Sequence, residues 1–200
     1  MAKNKCNQHR LFYPLCIVVA LILLLQIFGR IQNYRYTSGK MSYEALADFW
    51  EEGTYRRVAE FVPTKVYPQG WTEKGTAVIT RNDSTHDIDK TTNSVRSVPG
   101  KENIILDHRF LYNYSPFTKQ VAMKHKNTVG SNADLAVSQI NRNTIVAYTD
   151  TFDSESMGRE NIPYILKVMK TKHGYRAEAT YSPSYGLTWT PVYKATLTRQ

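Results

Sequence analysis

The sequence has 200 residues, a formal net charge of +9 at pH 7 and 42% hydrophobic residues. Its basic residues form only short groups, whereas a dedicated nucleic-acid surface concentrates Lys and Arg on one face, so we expect no nucleic-acid partner. Both cysteines, Cys6 and Cys16, lie near the start of the chain. Everything after them therefore lacks an intrachain disulfide, a thiol nucleophile and a cysteine metal site.

Residues 11–28 are the most apolar stretch, with no charged side chain and Gln26 as the only strongly polar one. A helix of this length, at about 1.5 Å per residue, approaches the thickness of a bilayer's hydrocarbon core. The stretch therefore predicts an uncleaved single-pass transmembrane anchor. A cleaved signal peptide is the alternative, although the bulky Phe28 does not suit a small-residue cleavage site. The residues expected to contact lipid are Leu11, Phe12, Ile17, Leu21, Leu24 and Phe28.

This anchor predicts how the rest of the chain is organised. Residues 1–10 would form a cytoplasmic tail, 11–29 the anchor, 30–41 a tether and 42–200 an extracytoplasmic domain. Basic residues are nearly balanced on the two sides of the anchor, so the orientation depends on the shortness of the tail. The arrangement favours a bacterial inner membrane, with the domain in the periplasm.

The tether is followed by two segments with helical periodicity. Apolar residues recur at positions 43, 46, 47 and 50, and Ser42 can cap the first turn. Gly53 is placed to end this helix. The following run, TYRRVAEFV at residues 54–62, has a second apolar stripe and stops at Pro63, so it predicts a second short helix.

Beyond Pro63 the pattern is typical of β-strands, because β-branched and aromatic runs alternate with turn formers. The clearest hairpin joins residues 165–170 to 175–181, and Gly174 supplies the conformational freedom that a tight turn needs. Residues 82–100 and 154–161 are polar and predict loops. The predicted strands are residues 76–81, 103–112, 120–125, part of 135–152, 165–170, 175–181 and 187–198.

The run ALADFWEEGTYRRVAEFVP, residues 45–63, resembles the opening of NTF2-like domains, which are cystatin-like α+β cones. The resemblance implies an α+β fold in which one or two short helices pack on a curved, mainly antiparallel sheet. A short tail, one membrane helix and an NTF2-like periplasmic domain together are similar in layout to VirB8-like components of type IV secretion and conjugation machines. No residue motif of that family is matched.

Two groups of residues have the composition of a chemical site. Asp83, His86, Asp87 and Asp89 are potential metal ligands, but their spacing does not match a calcium loop, and a solvated loop explains them as well. The triplet 107–109 places His108 between Asp107 and Arg109 in a predicted strand, where it could form an acid/base pair or a partly exposed strand end.

No recognised catalytic pattern accompanies these groups. The sequence has no nucleophile elbow, P-loop, Rossmann glycine pattern or H-E-x-x-H helix. We therefore predict a protein that is not an enzyme, with no catalytic residues, no metal site and no cofactor.

Aromatic residues near the C-terminus suggest a contact surface. Alternation along a strand would put Trp189 and Tyr193 on one face, with Tyr185 nearby, and Tyr and Trp often anchor interfaces. Gln26 could form a hydrogen bond to a neighbouring helix within a bilayer. The predicted partner-binding residues are therefore Gln26, Tyr185, Trp189 and Tyr193.

The sequence supports one leading hypothesis and two alternatives. The leading one is a non-enzymatic assembly component of an envelope complex of the secretion or conjugation type. Its partners would be the lipid bilayer, other membrane or envelope proteins, and further copies of itself. The alternatives are an anchored NTF2-fold domain that binds a ligand or acts as an isomerase, and a viral or cell-surface membrane protein.

Overall fold

A computed structural model describes residues 13–28, 41–154, 158–184 and 188–200, without the side chains of Arg159 and Glu160. These ranges contain two helices, α1 at residues 13–28 and α2 at Tyr43–Phe49. They also contain ten strands: β1 Gly53–Phe61, β2 Trp71–Asn82, β3 Asp87–Ser97, β4 Ile104–Ser115, β5 Gln120–Asn127, β6 Asn132–Asn141, β7 Thr144–Ser154, β8 Arg159–Thr171, β9 Gly174–Tyr181 and β10 Thr190–Arg199.

The ten strands form one closed antiparallel barrel. Each strand pairs with its neighbours in sequence, and β1 pairs with β10 to close the barrel, with Ala59 opposite Ala195. The predicted α+β class is therefore wrong, and so is the resemblance to an NTF2-like cone, because a closed barrel has no open sheet on which helices could pack.

The second predicted helix, residues 54–62, is instead strand β1. Its inward side chains, Tyr55, Arg57 and Ala59, are buried, whereas Arg56 and Glu60 are exposed. Tyr55 and Ala59 lie four residues apart, and this spacing fits one face of a helix as well as one face of a strand. Hydrogen bonding to β2 on one side and β10 on the other decides in favour of the strand.

The first predicted helix is confirmed as α2, but it ends at Phe49, and Gly53, which was predicted to end it, begins β1. The Ser42 side chain accepts a hydrogen bond from the backbone N–H of Ala45 at 3.2 Å and caps its first turn. Leu46, Phe49 and the following Trp50 are almost completely buried. The helix therefore closes one end of the barrel with an apolar plug.

Within the described ranges, no helix is both long enough and apolar enough to cross a membrane. The predicted single-pass anchor at 11–29 is therefore wrong, and with it the bacterial inner-membrane location and the layout that suggested a secretion or conjugation machine. Four of the residues expected to contact lipid have exposed side chains on α1, namely Ile17, Leu21, Leu24 and Phe28. The other two, Leu11 and Phe12, lie outside the described residues.

The predicted hairpin is confirmed by the pairing of β8 with β9. Thr171 pairs with Gly174 at its end, and Gly174 has a φ of +140°. The predicted loop at 82–100 is wrong in its greater part, because it contains strand β3. The inward positions of β3 are mostly polar, as at Lys90 and Arg96, so the sequence does not show the hydrophobic alternation of a strand.

Candidate binding site inside the barrel

A single carboxylate, that of Glu73, organises the polar interior of the barrel. Glu73 is fully buried. Its Oε2 accepts a hydrogen bond from Arg57 Nη1 at 3.0 Å. Its Oε1 accepts hydrogen bonds from Arg96 Nε at 3.0 Å, from Arg96 Nη2 at 2.9 Å and from Trp71 Nε1 at 3.2 Å. Both carboxylate oxygens therefore have donors, and this buried charge is compensated.

The register of the barrel brings these residues together. Glu73 on β2 lies directly opposite Arg96 on β3 and directly opposite Ala59 on β1. Arg57, two residues before Ala59, points to the same face of β1 because side chains alternate along a strand. Arg96 also lies over the Trp71 ring, 5.1 Å from its centroid, so the guanidinium is held between a carboxylate and an aromatic face.

The charges around Glu73 keep it ionised. Burial disfavours the charged carboxyl, but contact with His108 and the charges of Arg57 and Arg96 outweigh burial and hold the pKa of Glu73 well below its ordinary value. His108 Nε2 lies 3.3 Å from Glu73 Oε2.

Two histidines stack with Phe110 beside this cluster. The ring centroids of His125 and Phe110 are 4.5 Å apart, and those of His108 and His125 are 5.8 Å apart. Burial, followed by the charges of His108 and Lys90, lowers the pKa of His125 to about 3. His125 is therefore neutral at pH 7, and its Nε2 has no hydrogen-bond partner among the described residues.

Lys90 lies in the same layer of the interior and is buried, with 6% of its surface exposed. Its amine is 3.9 Å from the centroid of Phe110 and 5.3 Å from that of Trp50. In the described part of the chain, no acidic side chain lies within ion-pair distance of it. Burial and the charge of Arg57 lower the pKa of Lys90 to about 7.

A cavity of about 50 Å³ is lined in part by Arg57, Glu73, Arg96 and the two histidines. By the usual requirement of roughly 10–15 Å³ per water molecule, it has room for about three to five waters. Polar groups of Arg57, His108 and His125 contribute to its wall, and Phe110, Leu135 and Leu166 give it an apolar side.

The charge in this region is unbalanced. Glu73 is the only buried acidic side chain among the described residues, whereas Arg57, Arg96 and Lys90 are all buried. Buried charges are costly unless they are paired, so an interior with surplus positive charge favours an anion.

The acidic group predicted from residues 83–89 lies outside this site. Asp83 accepts a hydrogen bond from the Tyr43 hydroxyl at 2.6 Å, and Asp89 forms an ion pair with Arg109 at 2.7 Å. His86 packs edge-on against Tyr43, with ring centroids 4.8 Å apart. No group of three or more potential metal ligands occurs in the ranges that the structure describes.

The alternation predicted for residues 107–109 is confirmed, because His108 is buried whereas Asp107 and Arg109 are exposed. The carboxylate beside His108 is that of Glu73, from another strand, and not that of Asp107. Asp107 instead accepts a hydrogen bond from Asn93 on the outer surface.

The residues predicted to bind partners do not form one surface in the described part of the chain. Gln26 is exposed on α1, Trp189 is partly exposed before β10, and Tyr185 lies outside the described residues. Tyr193 points inward, packs against Phe61 with centroids 4.8 Å apart and lines the cavity, because a bulge between Pro191 and Tyr193 interrupts the alternation of β10. Their role in partner binding stays a prediction.

The sequence interpretation missed the four central residues, Arg57, Glu73, Lys90 and Arg96. The signal that could have found two of them, Lys90 and Arg96, is polar alternation in β3, whose inward residues 90, 92, 94 and 96 are buried between more exposed neighbours. Such a pattern is typical of a strand whose inner face carries a polar site.

Comparison with known proteins gives only distant likenesses. No protein family and no curated protein matches the sequence. Among solved structures, a redesigned β-barrel, mFAP1, bound to DFHBI is 12% identical, with a TM-score of 0.39, and the match covers 79% of this chain and 98% of that one. A fluorescence-activating β-barrel designed de novo is 12% identical with a TM-score of 0.36, over 78% of this chain and 98% of that one. Likenesses this distant carry no argument about function.

Proposed function

We propose that this protein binds a small organic carboxylate inside its barrel. The observation that carries the proposal is the excess of buried positive charge, because Arg57 and Arg96 are buried with Glu73 as the only buried acid among the described side chains, and Lys90, with a pKa of about 7, adds a partial positive charge. A bound carboxylate would supply the missing negative charge.

Arg57 is the residue best placed to hold this carboxylate. A guanidinium has five N–H donors, and the described contacts of Arg57 use one nitrogen, Nη1, for Glu73. Arg57 also lines the cavity. Its remaining donors suit the two oxygens of a carboxylate, and hydrogen bonds between charged groups are stronger than neutral ones.

The cavity limits the size of the ligand. Its volume of about 50 Å³ suits a carboxylate with a short hydrocarbon tail, such as acetate or propionate. Phe110, Leu135 and Leu166 would contact the tail, while Arg57 holds the head. His125, neutral at pH 7, adds a nitrogen that has no hydrogen-bond partner among the described residues.

Calorimetric titration with acetate and propionate, and with the neutral amides acetamide and propionamide, tests the proposal. The acids and amides match in shape, so the charge of the carboxylate is the main difference between them. We expect the acids to bind at least about tenfold more tightly, since a charge-assisted hydrogen bond contributes about 1.5–3 kcal/mol. Equal binding of acid and amide, or no binding of either, would overturn the proposal.

A pair of variants localises the binding. Arg57→Met should weaken propionate binding by about tenfold or more, whereas Arg56→Met should leave it unchanged, because Arg56 is exposed on the opposite face of β1. Circular dichroism establishes that each variant is folded. If Arg57→Met does not fold, the comparison of acid with amide on the unmodified protein decides the matter.

The hypotheses of an assembly role and of a protein that is not an enzyme stay predictions. The excess of buried positive charge and the cavity beside it favour ligand binding, so we place this function before the other two.

A further inference from the structure

We infer that the carboxylate bound in this barrel is a short hydroxy acid, whose hydroxyl forms a hydrogen bond with Nε2 of His125. This inference rests on the proposed function, because it concerns the same cavity, and it adds the chemical class of the ligand. It uses a group other than Arg57, which holds the carboxylate head. His125 lines the cavity, and its Nε2 is buried without a hydrogen-bond partner among the described residues.

The unpartnered nitrogen of His125 favours a ligand with a polar atom on its tail. Most buried polar atoms of side chains have a hydrogen-bond partner, and a buried group without one costs about 1–3 kcal/mol of desolvation. A ligand atom that forms a hydrogen bond with this nitrogen recovers that free energy. A hydrocarbon tail, such as that of propionate, does not.

Stacking fixes the direction of the His125 nitrogen. The ring of His125 lies nearly parallel to the rings of Phe110 and His108, with interplanar angles of 18° and 14°. Phe110 is also the residue directly opposite His125 in the pairing of β4 with β5. A ring held in this way is preorganised, so little conformational entropy is lost when a ligand contacts it.

Arg57 and His125 lie on nearly opposite walls of the barrel. Arg57 is on β1 and His125 is on β5, and these strands are four places apart in the closed ring of ten. Both residues line the same cavity. A carboxylate head held by Arg57 therefore directs its tail toward the wall that carries His125, so the hydroxyl belongs on the tail.

A hydroxyl suits His125 better than an amine or a second carboxylate does. Burial lowers the pKa of His125 to about 3, so at pH 7 the ring is neutral and its Nε2 either donates or accepts. A hydroxyl does both, and it fits either form of the ring. An ammonium group would add to the surplus of positive charge. A second carboxylate would exceed the single positive charge that Arg57, Arg96 and Glu73 leave unbalanced.

Calorimetric titration of the full chain with two pairs of acids tests this inference. Lactate is compared with isobutyrate, and 3-hydroxypropionate with butyrate, so that within each pair a hydroxyl replaces a methyl group of similar size. In a wholly apolar pocket the methyl acid binds more tightly, because the hydroxyl loses its hydration without gaining a hydrogen bond.

We expect the hydroxy acid to bind at least about tenfold more tightly in one of the two pairs, because its hydroxyl pairs with a buried nitrogen. The pair that shows the preference gives the position of the hydroxyl on the tail. A preference below about tenfold in both pairs, or tighter binding of both methyl acids, would overturn the inference.

Two variants and one spectroscopic signal assign the preference to His125. His125→Phe retains a ring that can stack on Phe110 but removes both nitrogens, so it should abolish the preference for the hydroxy acid. His173→Phe, at an exposed histidine in the turn between β8 and β9, should retain it. In the unmodified protein, the ¹⁵N NMR signal of His125 Nε2 should shift with the preferred hydroxy acid and not with its methyl counterpart. If His125→Phe does not fold, this signal and the two pairs of acids decide.

The titrations separate this inference from the proposed function. Binding of acetate and propionate without a preference for a hydroxyl refutes the hydroxy-acid class alone. Absence of binding by every acid refutes the proposed function together with this inference.

Discussion

Glu73 is the residue on which the stability of the polar interior depends most. In Glu73→Gln the charges of Arg57 and Arg96 would remain buried without a counter-charge, and loss of one partner of a buried ion pair costs about 3–5 kcal/mol. We expect the free energy of unfolding, measured with urea, to fall by about that amount. Glu60→Gln is the matched control, because Glu60 is exposed on β1, and it should change stability by less than about 0.5 kcal/mol.

The stability difference between the original protein and Glu73→Gln should depend on pH. The pKa of Glu73 is lower in the folded state than the value of about 4.3 expected in the unfolded chain. Its stabilising effect is therefore complete above pH of about 4.3 and is lost as the pH falls toward the lower folded pKa. The stability difference between the original protein and Glu73→Gln should shrink on acidification below about pH 4. A difference that stays constant to about pH 2 would contradict this assignment.

Residue identity alone could not reveal this site. Arg57 and Glu73 are 16 residues apart, and Glu73 and Arg96 are 23 residues apart. Their meeting depends on the register of three strands, and register is a property of pairing between distant segments. His108 shows what the sequence does determine: its alternation with Asp107 and Arg109 was predictable, whereas its contact with Glu73 was not.

Helix α2 acts as a plug, and its stability comes from the barrel. Seven residues are too few for an isolated helix in water, so burial of its apolar face must hold it in place. Phe49 packs against Tyr175 with centroids 5.7 Å apart. We expect Phe49→Ala to reduce the free energy of unfolding by about 3–5 kcal/mol, as measured with urea.

The control for this prediction comes from the same helix. The Asp48 side chain is exposed, so Asp48→Ala should have an effect of less than about 0.5 kcal/mol. If the two substitutions lower the free energy of unfolding by the same amount, burial of Phe49 does not hold α2 in the barrel.

At the scale of elements, the sequence predicts structure where the signal is local. The Ser42 cap and the turn at Gly174 lie within a few residues of the elements that they define, and both predictions are confirmed. The predictions for the segments that form β1 and β3 were wrong for different reasons. In β1 a four-residue spacing fitted both a helix and a strand, and in β3 the inward face is polar because it carries part of the site.

Closure of the barrel is the feature of the whole molecule that the sequence did not reveal. Nine of the ten pairings join strands that are consecutive in the chain, and an open, curved antiparallel sheet would use the same nine. The tenth pairing joins β1 to β10, with Ala59 opposite Ala195, and these strands are the first and the last of the barrel in the chain. No turn or periodicity encodes such a contact, and for this reason an open α+β cone was a consistent but wrong interpretation.

Hydrogen exchange can test this closure in solution. A closed barrel has no edge, so the backbone amides of β1 and β10 should be protected as strongly as those of β7 and β8 and should exchange mainly through global unfolding. The amide of Phe117, in the turn between β4 and β5, serves as a fast-exchanging control, since its side chain is 96% exposed. In an open sheet, β1 and β10 would each leave one side unpaired, and alternate amides along both strands would exchange orders of magnitude faster than those of β7. Rapid exchange of that alternating kind would show that the β1–β10 pairing does not persist in solution.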